Sequence, residues 1–261
     1  MNVLLIGDVI GKPGRKALQR RLRELREQHD VSFVTANAEN IAGGAGVTRE
    51  TAEELFVAGV DCLTSGNHVW DKKEVIPYIN EKKSLLRPAN YPEPAPGTGV
   101  YLTATDEGVR LAVINLMGRV YMANLDCPFR KADQILREIQ GRADVILVDM
   151  HAEVTSEKGA MGWYLDGRVS VVYGTHTHIP TADERVLPGG TAFQTDVGMT
   201  GSYDSVIGCD RRIVIERFLS QRHIRLTVAD QNVWIRATLV EVDGSNGRAR
   251  SIRRIALRDS A

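Results

Sequence analysis

Through the first two thirds of the chain, short runs of apolar and β-branched residues alternate with stretches whose apolar positions recur every three or four residues. That alternation predicts an α/β fold, because strands bury short apolar runs while helices bury one face. Strands are expected at Val3 to Ile6, Ser32 to Ala36, Cys62 to Thr64, Arg110 to Asn115, Val145 to Asp149 and Ser170 to Gly174. Between them, Ala17, Leu18, Leu22 and Leu25 share one face of a helix over Gly14 to Gln28. Thr48 is expected to cap a helix reaching Ala58, Asp71 to cap one running through Ile79, and Arg130 to Ile139 to be helical. The segment Arg87 to Gly97 holds four of the nine prolines and reads as an extended surface loop.

After Thr191 the pattern turns to β, with strands expected at Thr191 to Asp196, Ile224 to Val228, Val233 to Val242 and Arg250 to Ala256, and a turn over Asp243 to Gly247. A second sheet within a single domain over residues 1–261 is the expectation, rather than a separate domain.

Composition narrows the function classes. With 43% hydrophobic and 25% charged residues the chain reads as an ordinary globular protein. No apolar run approaches the roughly 20 residues of a spanning helix, and the run after Met1 is too short for a signal peptide. Cys62, Cys127 and Cys209 are widely spaced and odd in number, which argues against a disulfide framework or zinc ribbon and for a reducing cytoplasm. Lysine plus arginine and aspartate plus glutamate are both 33, so a global footprint for extended nucleic acid is missing and a nucleotide must be recognised locally. The basic runs Arg15 to Arg26 and Arg248 to Arg258 read as solvated faces, the first interleaved with acids and the second alternating like a strand.

The candidate chemistry sits where the predicted strands end, which is where open α/β sheets collect ligands. The first strand ends in Gly7-Asp8, the second in Asn37-Ala38-Glu39-Asn40, the third in Gly66-Asn67-His68, a later one in His151, and the last in Gly174-Thr175-His176-Thr177-His178. Four of the six histidines fall there. Imidazole with Asp, Glu and Asn oxygens and no thiolate suits divalent manganese, iron or zinc. Taken singly each has an ordinary explanation: Asp8 as a cap, Gly66-Asn67-His68 as a turn, His151 as a hydrogen-bonded core imidazole. His176 and His178 are stronger, because alternate residues at a strand end put both rings on one side.

In this order the blocks resemble those of the calcineurin-like metallophosphoesterases, whose usual pattern is Asp-x-His, Gly-Asp, Gly-Asn-His-Asp/Glu, His and Gly-His-x-His. Here Ile10 replaces the second ligand histidine of the first block, Glu39 followed by Asn40 replaces the bridging aspartate, and Thr175 is inserted in the last block. Those departures are similar to the YmdB-type branch, as are Gly7-Asp8-Val9-Ile10-Gly11, Asn115-Leu116-Met117-Gly118-Arg119, Thr155-Ser156-Glu157-Lys158 and Asp196-Val197-Gly198-Met199-Thr200-Gly201. The resemblance implies a four-layer αββα sandwich with two mixed β-sheets. It also implies two divalent or mixed-valence metal ions, iron foremost with manganese or zinc as alternatives, and a small phosphodiester substrate such as a 2′,3′-cyclic nucleotide.

By the same resemblance one ion is held by Asp8, Glu39 and His178 and the other by Glu39, Asn40, Asn67, His151 and His176, with Glu39 bridging and the water or hydroxide between the ions attacking phosphorus. His68, one residue beyond Asn67, is then the proton donor to the departing ribose oxygen. Gly43 to Gly46 reads as a flexible turn or a phosphate approach, Arg119 as a structural arginine or a fork donor, and Trp70 and Trp163 as packing or base-stacking groups. The rival readings are a phosphomonoesterase or another phosphodiesterase on the same ions, and a metal-binding regulatory protein without catalysis. An amidohydrolase is disfavoured because its His-x-His pair belongs on a first strand. Exposed sheet edges make a homo-oligomer a reasonable expectation.

Overall fold

The computed structural model describes residues 1–259. Along the chain come β1 (Asn2–Val9), α1 (Gly11–Gln28), β2 (Val31–Asn37), α2 (Arg49–Ala58), β3 (Cys62–Thr64) and α3 (Val75–Glu81). The second stretch holds β4 (Val100–Ala104), β5 (Arg110–Met117), α4 (Pro128–Glu138), β6 (Val145–His151), α5 (Thr155–Leu165) and β7 (Val171–Thr175). The chain then adds β8 (Arg185–Val186), β9 (Ala192–Gln194), β10 (Met199–Ser202), α6 (Arg211–Ser220), β11 (Val233–Val242) and β12 (Ala249–Arg258).

These strands form two six-stranded sheets, ordered β12-β11-β10-β1-β2-β3 and β4-β5-β6-β7-β9-β8. Both are mixed: β1, β2, β3 and β10 run parallel, β11 runs antiparallel to β1 and β10, and β12, antiparallel to β11, points the same way as β1. In the second sheet β5, β6, β7 and β9 run parallel, with β4 and β8 antiparallel at the edges. Period-two alternation sorts β1 into two faces. Leu4 and Ile6 pack with Ala17, Leu18 and Leu22 of α1, whereas Val3 and Leu5 pack with Leu111, Val113 and Leu147 of the other sheet. On the far side, Ile114, Val148 and Val172 meet Ile135 of α4 and Met161 and Leu165 of α5. The layers are therefore helices, sheet, sheet, helices, the αββα sandwich that the family resemblance implies.

Glycines permit the closest approaches behind the site. A Cβ on Gly7 would lie 1.8 Å from the Gly198 carbonyl oxygen, and one on Gly174 would lie 1.8 Å from that of Thr195. Thr48 caps α2 as expected: its hydroxyl accepts from Thr51 N, and the Thr51 hydroxyl accepts from Thr48 N in return. Thr48→Ala is expected to cost about 1 kcal/mol in denaturant unfolding. An unchanged midpoint would show that α2 is held by packing alone.

Four sequence expectations change. The C-terminal strands do not make a second sheet of their own: β10, β11 and β12 extend the sheet of β1, and only β8 and β9 join the other. Ile224 to Val228 is not a strand, since only Val228 makes an isolated bridge, to Cys209. The region read as all β contains a helix, α6, started by the Asp210 side chain on Arg212 N and Ile213 N. The helix after Asp71 begins at Val75 with Glu74 at its cap position, and Asp71 binds His68 instead.

Candidate metal centre

The parallel strands of both sheets bring their C-terminal ends to one rim, and the sequence-selected residues meet there. Asp8 lies in β1, Glu39 and Asn40 follow β2, and Asn67 and His68 follow β3. His151 ends β6, and His176 and His178 follow β7. Register across the second sheet sets His151 beside Thr175. Asp8, Glu39, Asn40 and His151 are all buried, and His178 nearly so.

One pole is built around His151. Its Nε2 lies 3.1 Å from Asn67 Oδ1, 3.1 Å from His176 Nδ1 and 3.3 Å from Glu39 Oε1. The other pole joins Asn40 Nδ2, 3.2 Å from His178 Nε2, to Asp8 Oδ1, 3.8 Å from the same nitrogen. Glu39 spans them, its Oε1 being 3.4 Å from Asn40 Nδ2. Asn40 thus stands with Asp8 and His178, not with Asn67, His151 and His176 as the resemblance implied. Its place directly after Glu39 lets the two side chains diverge toward that pole.

The tautomers explain what this arrangement can hold. His151 Nδ1 lies 2.9 Å from the Thr175 hydroxyl, and that hydroxyl donates to Asp149 Oδ1 at 2.7 Å. The Thr175 oxygen is therefore the acceptor for His151 Nδ1–H, which leaves the Nε2 lone pair inward. His176 Nε2 lies 3.0 Å from Glu153 Oε2, so its Nδ1 faces the centre. His178 Nδ1 donates to the Ile207 carbonyl at 2.8 Å, so its Nε2 faces Asp8. Each imidazole thus spends one N–H on an outer acceptor and turns its other ring nitrogen toward the centre, the usual arrangement of metal-ligating histidine. Asp8 Oδ1 is buried without a hydrogen-bond partner, a state that a cation would relieve. Glu39, His151 and His176 also offer ligand atoms within 4.8 Å of one another. The donor set fits divalent cations.

Charge balance without cations points the same way. Burial pushes Asp8 upward, opposed by the His178 and His151 rings. For Glu39 burial also pushes upward, but His151 and the His68 N–H outweigh it and bring the group to about 2. Burial disfavours charge on His151, yet Glu39, Asp8 and Asp149 raise it to about 9, so a proton stands in for the cation. Burial and then the His151 charge lower His176 to about 3. Burial raises Asp149 to about 7.

His68 stands apart from the ligand atoms. Its backbone N–H donates to Glu39 Oε2 at 3.0 Å, while its partly exposed ring sets Nδ1 2.8 Å from Asp71 Oδ2. The backbone anchors it to the centre and Asp71 orients the ring.

Several residues have a supporting role that the sequence reading did not give them. Asp149 is two residues before His151 on the same strand face, Glu153 is two after it, and Asp71 is three after His68. Those spacings were the available signal. Lys158 and Asp196 form a fully buried ion pair at 2.7 Å. Asp196 also accepts from Thr177 N and Thr177 Oγ1, so it pins the residue between the two ligand histidines. His176 and His178 both have positive φ, 100° and 66°, a strained backbone that this pinning sustains. Gly66 is required by close approach, since a Cβ there would lie 2.1 Å from His151 Nε2. Of the weaker candidates, Trp70 packs edge to face on Tyr91 at 5.7 Å, whereas Arg119 and Trp163 are exposed.

Thr175→Val removes the acceptor for His151 Nδ1–H while keeping the side-chain shape. Metal affinity, read by chelator competition, is expected to fall by about 10–100-fold. Wild-type affinity would mean that the hydroxyl does not set the tautomer.

An αββα sandwich carrying histidine, carboxylate and amide donors at the strand ends defines a metallophosphoesterase. The likeness to a calcineurin-like phosphoesterase, YfkN from Bacillus subtilis, is one of fold, with a TM-score of 0.57 at 9% identity over 99% of this chain and 90% of that one. The chain belongs to the YmdB-like family, whose model matches residues 4–255. It is 46% identical to a 2′,3′-cyclic-nucleotide 2′-phosphodiesterase of Bacillus subtilis over 99% of this chain and 98% of that protein. The crystal structure of a novel phosphatase from Mycoplasma pneumoniae superposes with a TM-score of 0.93 at 31% identity, covering 99% of this chain and 93% of the other. Among the described residues no helix is long and apolar enough to cross a membrane.

Proposed function

We propose that this protein is a two-metal phosphodiesterase that hydrolyses small phosphate diesters, with 2′,3′-cyclic nucleotides as its substrates. The observation that carries the reading is the inward lone pair on each of His151, His176 and His178, aimed at a centre lined by buried Asp8 and Glu39. Asp8, Asn40 and His178 would hold one ion, Asn67, His151 and His176 the other, and Glu39 would serve both. Rotating the Asn40 amide by half a turn presents its oxygen in place of its nitrogen, the two being interchangeable by shape. Bound there, divalent cations supply Lewis acidity and a lowered pKa for water. Nitrogen and oxygen donors without thiolate suit iron, manganese or zinc.

The chain's own residues supply orientation and proton transfer. His68 is held at the edge of the centre through its main chain, leaving Nε2 free to protonate the departing oxygen while Asp71 steadies the ring. By extension from the Bacillus relative, that oxygen is the ribose 2′-oxygen. The apolar layer shared by both sheets supports reading residues 1–261 as one domain. Three free cysteines, one fully buried, fit a reducing cytoplasm.

Turnover of metal-loaded protein on 2′,3′-cyclic AMP, 3′,5′-cyclic AMP and p-nitrophenyl phosphate tests the substrate class. The reading expects the first to dominate in kcat/KM. Preference for the monoester would make the protein a phosphomonoesterase, and inertness toward all three would leave a metal-binding protein without catalysis.

A further inference from the structure

The basic run at the start of α1 does more than face solvent. Lys12, Lys16 and Arg20, spaced four residues apart, share one face of α1 and line a cavity of about 740 Å³. Arg225 faces them from the loop before β11, with Leu226 and Val228 beside it. Arg20 is committed to Asp259, and Lys16 bonds only the Gln19 amide oxygen. Lys12 and Arg225 have no hydrogen bond or ion pair among the described residues. Among the described residues Asp230 is the sole carboxylate lining the cavity, so positive charge is in excess there.

This cavity is built on the loops that form the metal centre. The Asn40 carbonyl accepts from Gly11 N at 2.9 Å, where α1 begins, and from Gly44 N at 3.2 Å. Gly43, at φ 75°, lines the cavity, and a Cβ added to it would meet nothing within 4 Å. Val228, on the opposite wall, bridges to Cys209, two residues from the Ile207 carbonyl that orients His178. The glycine loop therefore ties the backbone of Asn40 to the wall of this cavity.

We propose that this cavity is a second phosphate-binding subsite, which takes the upstream backbone of a short oligoribonucleotide whose 2′,3′-cyclic end occupies the metal centre. The inference rests on the phosphodiesterase reading above. Lys12 to Arg20 spans about 12 Å of helix, more than one inorganic phosphate needs. Leu226 and Val228 add apolar surface for a base or ribose. The chain as a whole carries no net charge, so the attraction of this stripe is local, which suits a few nucleotides rather than a duplex.

The test compares metal-loaded wild type with a Lys12→Ala/Lys16→Ala/Arg225→Ala variant. Substrates are 2′,3′-cyclic AMP and a tetraadenylate ending in a 2′,3′-cyclic phosphate. Affinity for a fluorescent tetraadenylate ending in a 3′-phosphate is read separately by anisotropy. Wild type is expected to favour the tetranucleotide in kcat/KM by about tenfold. The variant should lose about tenfold on the tetranucleotide and in anisotropy, keep mononucleotide turnover, and show a salt slope shallower by about two. Equal kcat/KM for both substrates in wild type, or an equal loss on both in the variant, would overturn the subsite. So would a variant changed only in oligomeric mass. Should wild type cleave neither substrate, the phosphodiesterase reading fails, and the anisotropy comparison still decides the subsite on its own.

Discussion

Glu39→Gln is expected to abolish both metal loading and turnover. Glu39 reaches ligand atoms of both poles, with Oε1 3.3 Å from His151 Nε2 and 3.4 Å from Asn40 Nδ2. It is held ionised near pKa 2 despite complete burial, because His151 and the His68 N–H stabilise the anion more than burial opposes it. Glutamine keeps the volume and can still accept from His68 N, but it replaces an anion by a single neutral carbonyl. Two cations sharing the site would then face only Asp8 as a charged ligand at the centre. Loss of metal-derived charge stabilisation is worth several kcal/mol at the transition state, about 10³-fold or more in rate. Elemental analysis should find well under half the wild-type metal, with circular dichroism unchanged. Full metal content and wild-type turnover would remove Glu39 from the bridging role.

His68→Ala is expected to separate chemistry from metal binding. The contact of His68 with the centre runs through its backbone N–H to Glu39, and alanine retains that donor. Only the imidazole, oriented by Asp71 at 2.8 Å, is lost. General acid catalysis contributes about 10²–10⁴-fold, and most where the leaving group is poor. Turnover of 2′,3′-cyclic AMP should therefore fall by about that factor, while bis-p-nitrophenyl phosphate, with its stable leaving group, falls far less. Metal content should match wild type. Equal losses on both esters would assign His68 a role in binding or folding, and metal loss would make it a ligand support.

Much of this centre was legible because strand periodicity and ligand chemistry are local. Apolar runs ending in Asp8, His151 and the His176-Thr177-His178 segment mark strand termini, and parallel sheets bring such termini to one edge. What periodicity cannot give is which strand lies beside which. The return of β10, β11 and β12 to β1 depends on long-range pairing, such as Leu4 with Leu239, which no window of sequence contains. The partners that set the histidine tautomers are hidden for the same reason: Thr175 meets His151 only through the register of β6 and β7. That Asn40 lies beside His178 could not be read either, because its neighbours in sequence do not reveal the direction its side chain takes. Helix α6 was missed because Ile213, Val214, Ile215 and Phe218 form a dense apolar run that reads equally well as strand. The Asp210 cap was the available sign.

Cations gathered by these strand ends are the central requirement of the proposed chemistry. Anomalous diffraction at the iron, manganese and zinc edges, recorded from crystals of protein purified without chelator, addresses this directly. Two peaks per chain are predicted, one among Asp8, Asn40 and His178 and one among Asn67, His151 and His176, with Glu39 touching both. A solitary peak, or density far from Glu39, would contradict it.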